Sequence, residues 1–172
     1  MMQDKKDNIG RVYEKFNKKI YDFLYKFNHD PELSADLMQE SFLSFFDHYQ
    51  SANLDDKQSL MILYRIARNN SINHSNKLST KKENVVYIDN FQSSKSSFEK
   101  QEELKDMEQK LHECLKYLPE DQKTALILKN LNDMTLDEIS KIMEVSISTV
   151  SRLVVKATAK LIELANTKGI IP

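Results

Sequence analysis

The stretch "TLDEISKIMEVSISTVSRLVVKATAKL", Thr135–Leu161, decides the fold class. Thr135 followed three residues later by Glu138 is a capping box, in which each side chain accepts a hydrogen bond from the other residue's backbone amide. The helix that begins there is short and ends near Met143, and Ser146 is a suitable N-cap for a longer second helix. The pattern predicts two helices joined by a tight turn.

The second of these helices has two unlike faces. Apolar residues spaced by three and four predict one buried stripe: Ile147, Val150, Val154, Ala157, Leu161 and Leu164. The opposite face carries polar and cationic residues: Ser148, Thr149, Ser151, Arg152, Val155, Lys156 and Lys160. Arginine pairs with a guanine edge, Ser and Thr bond to any base, and valine contacts a thymine methyl. The pattern favours a DNA-binding helix-turn-helix over an ordinary helical hairpin with a solvated face.

The composition supports helices throughout. The 172 residues include only two glycines and three prolines, too few for the turns of an all-β fold. An apolar content of 40% suits small helical units better than one large core. A single cysteine, Cys114, excludes an intramolecular disulfide, and no apolar run is long enough to span a membrane. We therefore expect a soluble, cytoplasmic, all-α protein without membrane insertion.

The apolar pattern divides the chain into two units. Residues 1–77 hold three amphipathic segments with matching stripes, which predict a small three-helix bundle. Asp30 and Pro31 are placed to cap and start the second of these helices. Residues 78–98 lose the helical period and are rich in serine, so we interpret them as a flexible linker. Residues 99–172 form the second unit, which contains the helix-turn-helix.

Charge is unevenly distributed in a chain whose net charge is −1. Three lysines oppose six acidic residues from Pro119 to Glu144, a net charge of −3. Four basic residues oppose Glu163 from Val145 to Pro172, a net charge of +3. Three or four phosphate contacts give a log–log salt slope of only about −3 to −4. DNA binding by this chain alone is expected to be weak, and a larger partner is needed to deliver it.

Two surfaces of the first unit are further candidates for binding. The stretch Arg65–Lys82 carries five cations, several amides and no acidic residue, and Tyr64 precedes it as a possible stacking side chain. Taken alone, this composition favours a frayed helix end that runs into a linker over a binding surface. Asp36 and Glu40 share a helix face, but no third ligand completes a metal or catalytic site. No phosphate-binding glycine loop is present, so neither an enzyme nor a cofactor is expected.

Three motifs in order resemble the small extracytoplasmic-function sigma factors of bacterial RNA polymerase. "SADLMQESF" (34–42) resembles the family's A-E-D-L-x-Q-E-x-F, and "LYRIARNNSIN" (63–73) resembles W-L-Y-R-I-A-R-N-x-A-I-D. "LPEDQKTALILKNLNDMTLDEISKIMEVSISTV" (118–150) is similar to the L-P-x-x-x-R-x-V-x-x-L and E-I-A segments of region 4. The resemblance covers about residues 8–165 and implies region 2 and region 4 domains joined by a linker.

The resemblance also implies partners and site residues. Such a factor binds core polymerase, through the clamp helices of the largest subunit and the flap of the second largest, and starts transcription at promoter DNA. An anti-sigma factor is a further implied partner. The residues implied to face the clamp are Asp36, Gln39 and Glu40. Those implied to lie along the −10 strand are Asn53, Arg65, Arg68, Asn69, Asn73, His74 and Lys77. Those implied to read the −35 element are Ser148, Thr149, Ser151, Arg152, Val155 and Lys156.

Three positions depart from the family pattern, and two other functions remain open. Asn73 stands at an aspartate position, Glu144 at the usual turn glycine, and Leu153 at an arginine position. These departures predict DNA affinity that is low for the family. One alternative is a plain helix-turn-helix regulator, which leaves residues 34–73 without a role. The other is a sigma-like protein that binds polymerase or an anti-sigma factor without initiating transcription.

Overall fold

The computed structural model describes residues 2–81, 99–130 and 132–171. Every regular element in these ranges is helical, which confirms the all-α fold. The elements are α1 (Met2–Asn28), α2 (Pro31–Tyr49), α3 (Asp56–Lys81), α4 (Glu99–Cys114), a 3-10 turn (Leu115–Tyr117), α5 (Glu120–Asn130), α6 (Leu136–Met143) and α7 (Ile147–Thr167). None of the helices in these ranges is long and apolar enough to cross a membrane.

Helices α1, α2 and α3 pack against one another as the sequence predicted. The Asp30 carboxylate caps α2 by accepting from the Leu33 amide at 3.0 Å, and Pro31 is the first helical residue. The core of this bundle is apolar and largely aromatic: Val12, Phe16, Ile20, Phe23, Leu24, Phe27, Leu37, Phe42, Phe45, Leu63, Tyr64 and Ala67. Asn70 donates to the hydroxyl of buried Ser41 at 3.2 Å, which ties α3 to α2.

The helix-turn-helix forms with both predicted caps. The Thr135 hydroxyl accepts from the Glu138 amide at 3.2 Å, and the Glu138 carboxylate accepts from the Thr135 amide at 2.9 Å. The Ser146 hydroxyl accepts from the Thr149 amide and caps α7. Glu144 ends α6 in the left-handed conformation, with φ 58°. A glutamate there costs about 1 kcal/mol relative to glycine, because its Cβ crowds the backbone.

Two details differ from the sequence prediction. Ile147, assigned to the buried stripe of α7, is 48% exposed, because it is the first helical residue and lies beyond the edge of the core. Val150 and Ala157 of the same stripe are fully buried. Residues 78–81, assigned to the linker, continue α3. The rest of the predicted linker, 82–98, lies outside the described residues.

The N-terminal bundle packs directly against α5 and α6. Helix α3 contacts α6, α1 contacts α5, and one continuous apolar cluster includes side chains from both halves of the chain. Lys123 of α5 is 8% exposed. Its Nζ donates to the Phe27 carbonyl at 3.3 Å and lies 4.8 Å from the centre of the Phe27 ring. Burial lowers the pKa of this ammonium group. The two halves are therefore joined by packed side chains as well as by the intervening segment.

Two histidines meet where α1 ends against α4. The ring centres of His29 and His112 are 4.5 Å apart, and His29 has a left-handed backbone with φ 58°. Burial, together with the nearby His112, Lys123 and Lys116, lowers the pKa of His29 from 6.5 to about 3. Burial also lowers the pKa of His112. Both rings are therefore neutral in the folded protein near pH 7.

The His29 site predicts a loss of stability in mild acid. The unfolded chain takes up the His29 proton below pH 6.5 but the folded chain does so only near pH 3. Stability is therefore complete above pH 6.5 and falls as pH decreases through this window, by up to about 1.4 kcal/mol per pH unit for one proton. His29→Asn, which tolerates the same backbone, should flatten the pH dependence of urea unfolding. The matched change at exposed His48 should not. Equal slopes for both variants would contradict this account.

Candidate nucleic-acid interface

The outer face of α7 is exposed and cationic. Ser148, Arg152, Val155 and Lys156 are exposed, whereas Thr149 and Ser151 are half-buried at its edge. Val155 is 65% exposed, so its methyl groups are accessible for an apolar contact. The Arg152 guanidinium donates to the Thr149 hydroxyl at 3.2 Å, along the same face. The structure thus brings the six predicted side chains to one side of the helix.

Helix α6 and helix α5 hold α7 in place from behind. Ile139 and Ile142 of α6 are buried, and Val150 and Ala157 of α7 meet the same core. Leu153, at the family's arginine position, is half-buried and packs against this core. The edge of the α7 surface therefore lacks the arginine of the family pattern, and Leu153 makes an apolar contact with the core at that position. This arrangement presents Arg152 and Lys156 outward from a rigid support.

The predicted −10 residues lie mainly along one line of α3. Arg65, Asn69, Asn73 and Lys77 follow each other at intervals of four, and the last three are exposed. Asn53 is exposed in the loop between α2 and α3. His74 is half-buried and lines a pocket of about 260 Å³ with Leu33 and Lys116. The structure thus forms a polar strip along α3, with Asn53 and His74 outside its line.

The two arginines of this strip already have protein partners. Arg65 donates to the Lys141 carbonyl at 2.6 Å, and its guanidinium lies 3.6 Å from the Glu144 carboxylate. Arg68 is paired with Asp121 at 2.5 Å, and its side chain is only 14% exposed. These partners are distant in sequence, so periodicity and composition contained no signal for them.

Tyr64 is not a stacking platform for a base. Its side chain is 1% exposed and packs edge-on against the Phe23 ring at 5.4 Å between ring centres. The hydroxyl accepts a hydrogen bond from the Asn132 amide, and burial raises its pKa to about 12. Tyr64 lies on the core side of α3, where it joins the bundle to the turn before α6. The suggestion that it stacks on nucleic acid is therefore wrong.

The predicted clamp-facing residues lie beside an apolar groove that the sequence analysis missed. Asp36, Gln39 and Glu40 are exposed on one face of α2. Leu43, one turn further on, is 66% exposed. The groove has a volume of about 470 Å³ and is lined by Ile9, Gly10, Tyr13, Gln39, Phe42, Leu43 and Phe46. The sequence did contain a signal for this exposed position. Leu43 lies three residues after Glu40 and four after Gln39, so it shares their face of the helix although it is apolar.

The described residues contain no cluster of three or more metal-ligating side chains. Cys114 is fully buried, and burial raises its thiol pKa, as expected for a core residue that is not a reactive nucleophile. The exposed surfaces just described are therefore the candidate sites.

Comparison with known proteins places the helix-turn-helix in a family. The family description "Sigma-70, region 4" matches residues 108–161. The ECF RNA polymerase sigma factor SigM of Bacillus subtilis is 29% identical over 162 residues, covering 92% of this chain and 95% of that protein. This chain is similar to an RNA polymerase sigma factor along most of its length.

Two further proteins are similar to this chain. The RNA polymerase sigma-H factor of Pseudomonas aeruginosa is 26% identical over 155 residues, covering 83% of this chain and 78% of that protein. The sigma factor RpoE of Bartonella quintana, solved with the anti-sigma factor NepR, has the same fold, with a TM-score of 0.64 and 15% identity. That similarity covers 92% of this chain and 97% of RpoE. The fold similarity thus extends well beyond the region 4 segment.

A matched pair of substitutions tests the two faces of α7. Val150→Asp places a charge at a fully buried position and should destabilise the protein by about 3–5 kcal/mol. Val155→Asp makes the same chemical change at a position that is 65% exposed and should change stability by less than about 0.5 kcal/mol. Chemical denaturation followed by circular dichroism measures both. Similar losses for the two variants would show that the buried face of α7 is misassigned.

Proposed function

We propose that this protein is a sigma factor, which binds core RNA polymerase, directs it to promoters and starts transcription. The observation that carries the proposal is the exposed cationic face of α7, held by a capped α6 within the segment that matches region 4. The B. subtilis relative aligned over 92% of the chain is itself an RNA polymerase sigma factor. As a cytoplasmic initiation subunit, the protein needs no catalytic group of its own.

Helix α7 is proposed to read the −35 element in the major groove. The exposed guanidinium of Arg152 is suited to bidentate contact with a guanine, and exposed Val155 is suited to a thymine methyl. Lys156 is suited to a phosphate, where it adds affinity but no sequence information. Ser148, Thr149 and Ser151 complete the surface at the N-terminal end of the helix, which in helix-turn-helix proteins is nearest the bases.

The strip along α3 is proposed to hold the single-stranded −10 region. Asn69, Asn73 and Lys77 are exposed in line, and together with Arg65 and Arg68 they supply amides for base edges and cations for phosphates. Asn53 lies in the adjoining loop, where an unstacked base is proposed to bind. His74 borders the same strip.

Core polymerase is proposed to dock on the exposed face of α2. Asp36, Gln39 and Glu40 supply polar contacts to the clamp helices, and Leu43 with its apolar groove supplies buried area at the centre of the contact. The C-terminal unit is proposed to bind the flap of the second-largest subunit. A partner that brings its own DNA contacts explains how a chain of net charge −1 works on DNA.

An anti-sigma factor is proposed as the regulatory partner. The structurally similar RpoE of B. quintana was solved with the anti-sigma factor NepR. A protein that covers the surfaces of α2 or α7 blocks polymerase or promoter binding by simple competition.

Arg152 and Lys156 have different expected roles in promoter binding. Arg152→Ala should reduce discrimination between the correct and a mismatched −35 element by about 1–3 kcal/mol, because a bidentate base contact is lost. Lys156→Ala should weaken all sequences alike and reduce the log–log salt slope by about one. Binding is measured with the assembled holoenzyme on promoter fragments at several salt concentrations.

Exposed Glu163 on the same helix provides the control, since Glu163→Ala removes a side chain of similar length outside the proposed reading face. Unchanged promoter choice for Arg152→Ala would mean that the reading surface has been placed wrongly.

A double charge reversal tests the core-binding face. Asp36→Lys with Glu40→Lys should reduce core polymerase recovered in a pull-down at least tenfold, or about 1.4 kcal/mol, because both acids are expected to face cationic partners. Glu14→Lys with Glu163→Lys, at exposed positions on α1 and α7, makes the same change in net charge and should retain binding. Transcription from a supercoiled promoter template should follow the pull-down. Full retention of core by the α2 variant would refute this assignment.

A further inference from the structure

A small pocket of about 260 Å³ lies where the end of α1 meets α3 and the start of α5. Its walls combine basic and hydrogen-bonding side chains with a single acidic one, and they include His29, His74, Ser75, Lys116, Glu120 and Lys123. Among these residues only His74 was assigned a contact with DNA. The proposed function therefore leaves the chemistry of this pocket unexplained.

Lys123 brings a buried positive charge to the pocket, since the residue is only 8% exposed. An ammonium group has three N–H donors. The Nζ atom makes one long hydrogen bond, to the Phe27 carbonyl at 3.3 Å, and within the described residues no carboxylate forms an ion pair with it. Burial lowers the pKa of this group, and a neighbouring anion would restore it. A buried ammonium group without a counter-ion favours a ligand that supplies one.

His29 adds a second polar group that lacks a partner. Its Nε2 atom is buried and has no hydrogen-bond partner in the described parts of the chain. The ring packs against that of His112, with 4.5 Å between the ring centres. In the tautomer that is protonated on Nε2, the neutral ring donates one hydrogen bond from this atom. His29 therefore offers the pocket a donor without bringing a charge that would have to be buried.

The charges of the pocket lining select for an anion. Lys116 is exposed, and both its charge and that of Lys123 act on His29, where they help to lower the pKa. Glu120 is the one acid in the lining, so two lysines against one carboxylate give a net charge of +1 with neutral histidines. Half-buried Ser75 contributes a hydroxyl donor. This surplus of positive charge and donors attracts an anion and repels a metal cation.

The size and the remaining walls of the pocket narrow the class of ligand. A phosphoryl group has several acceptor oxygens, which can take hydrogen bonds from an ammonium, an imidazole and a hydroxyl group at the same time. A volume of about 260 Å³ is slightly smaller than the range of about 300–1,000 Å³ that is usual for drug-sized ligands. Phe27 and Leu33 supply apolar surface in the same lining, which suits a small organic group attached to the phosphate.

We propose that this pocket binds the phosphoryl group of a small phosphomonoester or of free phosphate. Lys123 and Lys116 supply the positive charge, and His29 and Ser75 supply hydrogen bonds. The walls come from both halves of the chain, because α1, α2 and α3 precede the predicted linker and α5 follows it. Binding therefore stabilises the packing of α5 against the N-terminal bundle by mass action.

The first test measures the melting temperature of the full-length chain as sodium phosphate is increased, with sodium chloride adjusted to keep the ionic strength constant. Phosphate also stabilises proteins in general because it is excluded from their surfaces. A specific site is distinguished by saturation of the effect. Lys123→Met keeps the aliphatic stem and removes the buried charge, and it should weaken phosphate binding about tenfold or more.

Lys129→Met is the matched control, because Lys129 lies on the same helix and does not line the pocket. It makes the same change in net charge and should leave the phosphate dependence as it is in the unmodified protein. Lys116→Met is a second variant at an exposed position, so its folding is not in question. It should weaken phosphate binding about two- to fivefold, as expected for one exposed charge.

The histidine ring signals give a second readout by nuclear magnetic resonance. The signals of His29 and His74 should move with phosphate and saturate at the same concentration as the melting temperature. The signal of exposed His48 should stay unchanged. Phenyl phosphate, used as a second probe, separates the two sources of the phosphoryl group. Tighter binding than that of phosphate would assign the apolar wall to an organic group, whereas equal binding would assign the pocket to free phosphate.

The proposal is overturned if phosphate raises the melting temperature without saturation and by the same amount in the unmodified protein and all three lysine variants. Stationary signals of His29 and His74 would have the same meaning. If Lys123→Met fails to fold, Lys116→Met and the histidine signals decide the question. Loss of the pocket would leave the proposed function intact, because Lys116 and Lys123 have no part in the promoter or polymerase contacts.

Discussion

The burial of α6 between α7 and α3 is the contact on which the rest of this structure depends. A helix of eight residues is too short to be stable alone in water. It is held by the Thr135–Glu138 capping box at one end and by the buried Ile139 and Ile142 on its inner side. Because α6 is fixed in this way, α7 is supported with its cationic side outward. The same short helix also places Glu138 and the Lys141 carbonyl against α3.

The near-neutral composition conceals a strong separation of charge. Acidic side chains collect on α5, α6 and the following turn, and basic ones collect on α7 and along α3. In the folded chain the acidic group meets the cations of α3 and leaves α7 exposed. The net charge of −1 is the sum of these unlike surfaces and says little about whether the protein meets DNA.

The polar residues of α3 show how one helix serves two purposes. On its inner side, Tyr64 and Ser71 belong to the core and its hydrogen bonds. On its outer side, Asn69, Asn73 and Lys77 remain exposed in a line. Arg65 and Arg68 stand between these sides, and the C-terminal unit covers them. Residues of α3 that were all predicted to contact DNA thus differ in accessibility, although they lie close together in the sequence.

The sequence by itself determined the elements whose causes are local. Asp30 with Pro31, Thr135 with Glu138, and Ser146 each act within one helical turn, so their caps followed from spacing alone. The apolar stripes of α1 to α3, and the outward side of α7, followed from helical periodicity for the same reason. Only the tertiary structure decided that Tyr64 is buried, that Ile147 is exposed, and that Arg65 and Arg68 meet Glu144 and Asp121. Those contacts join residues far apart in the chain, and helical periodicity contains no information about which faces of distant helices pack together.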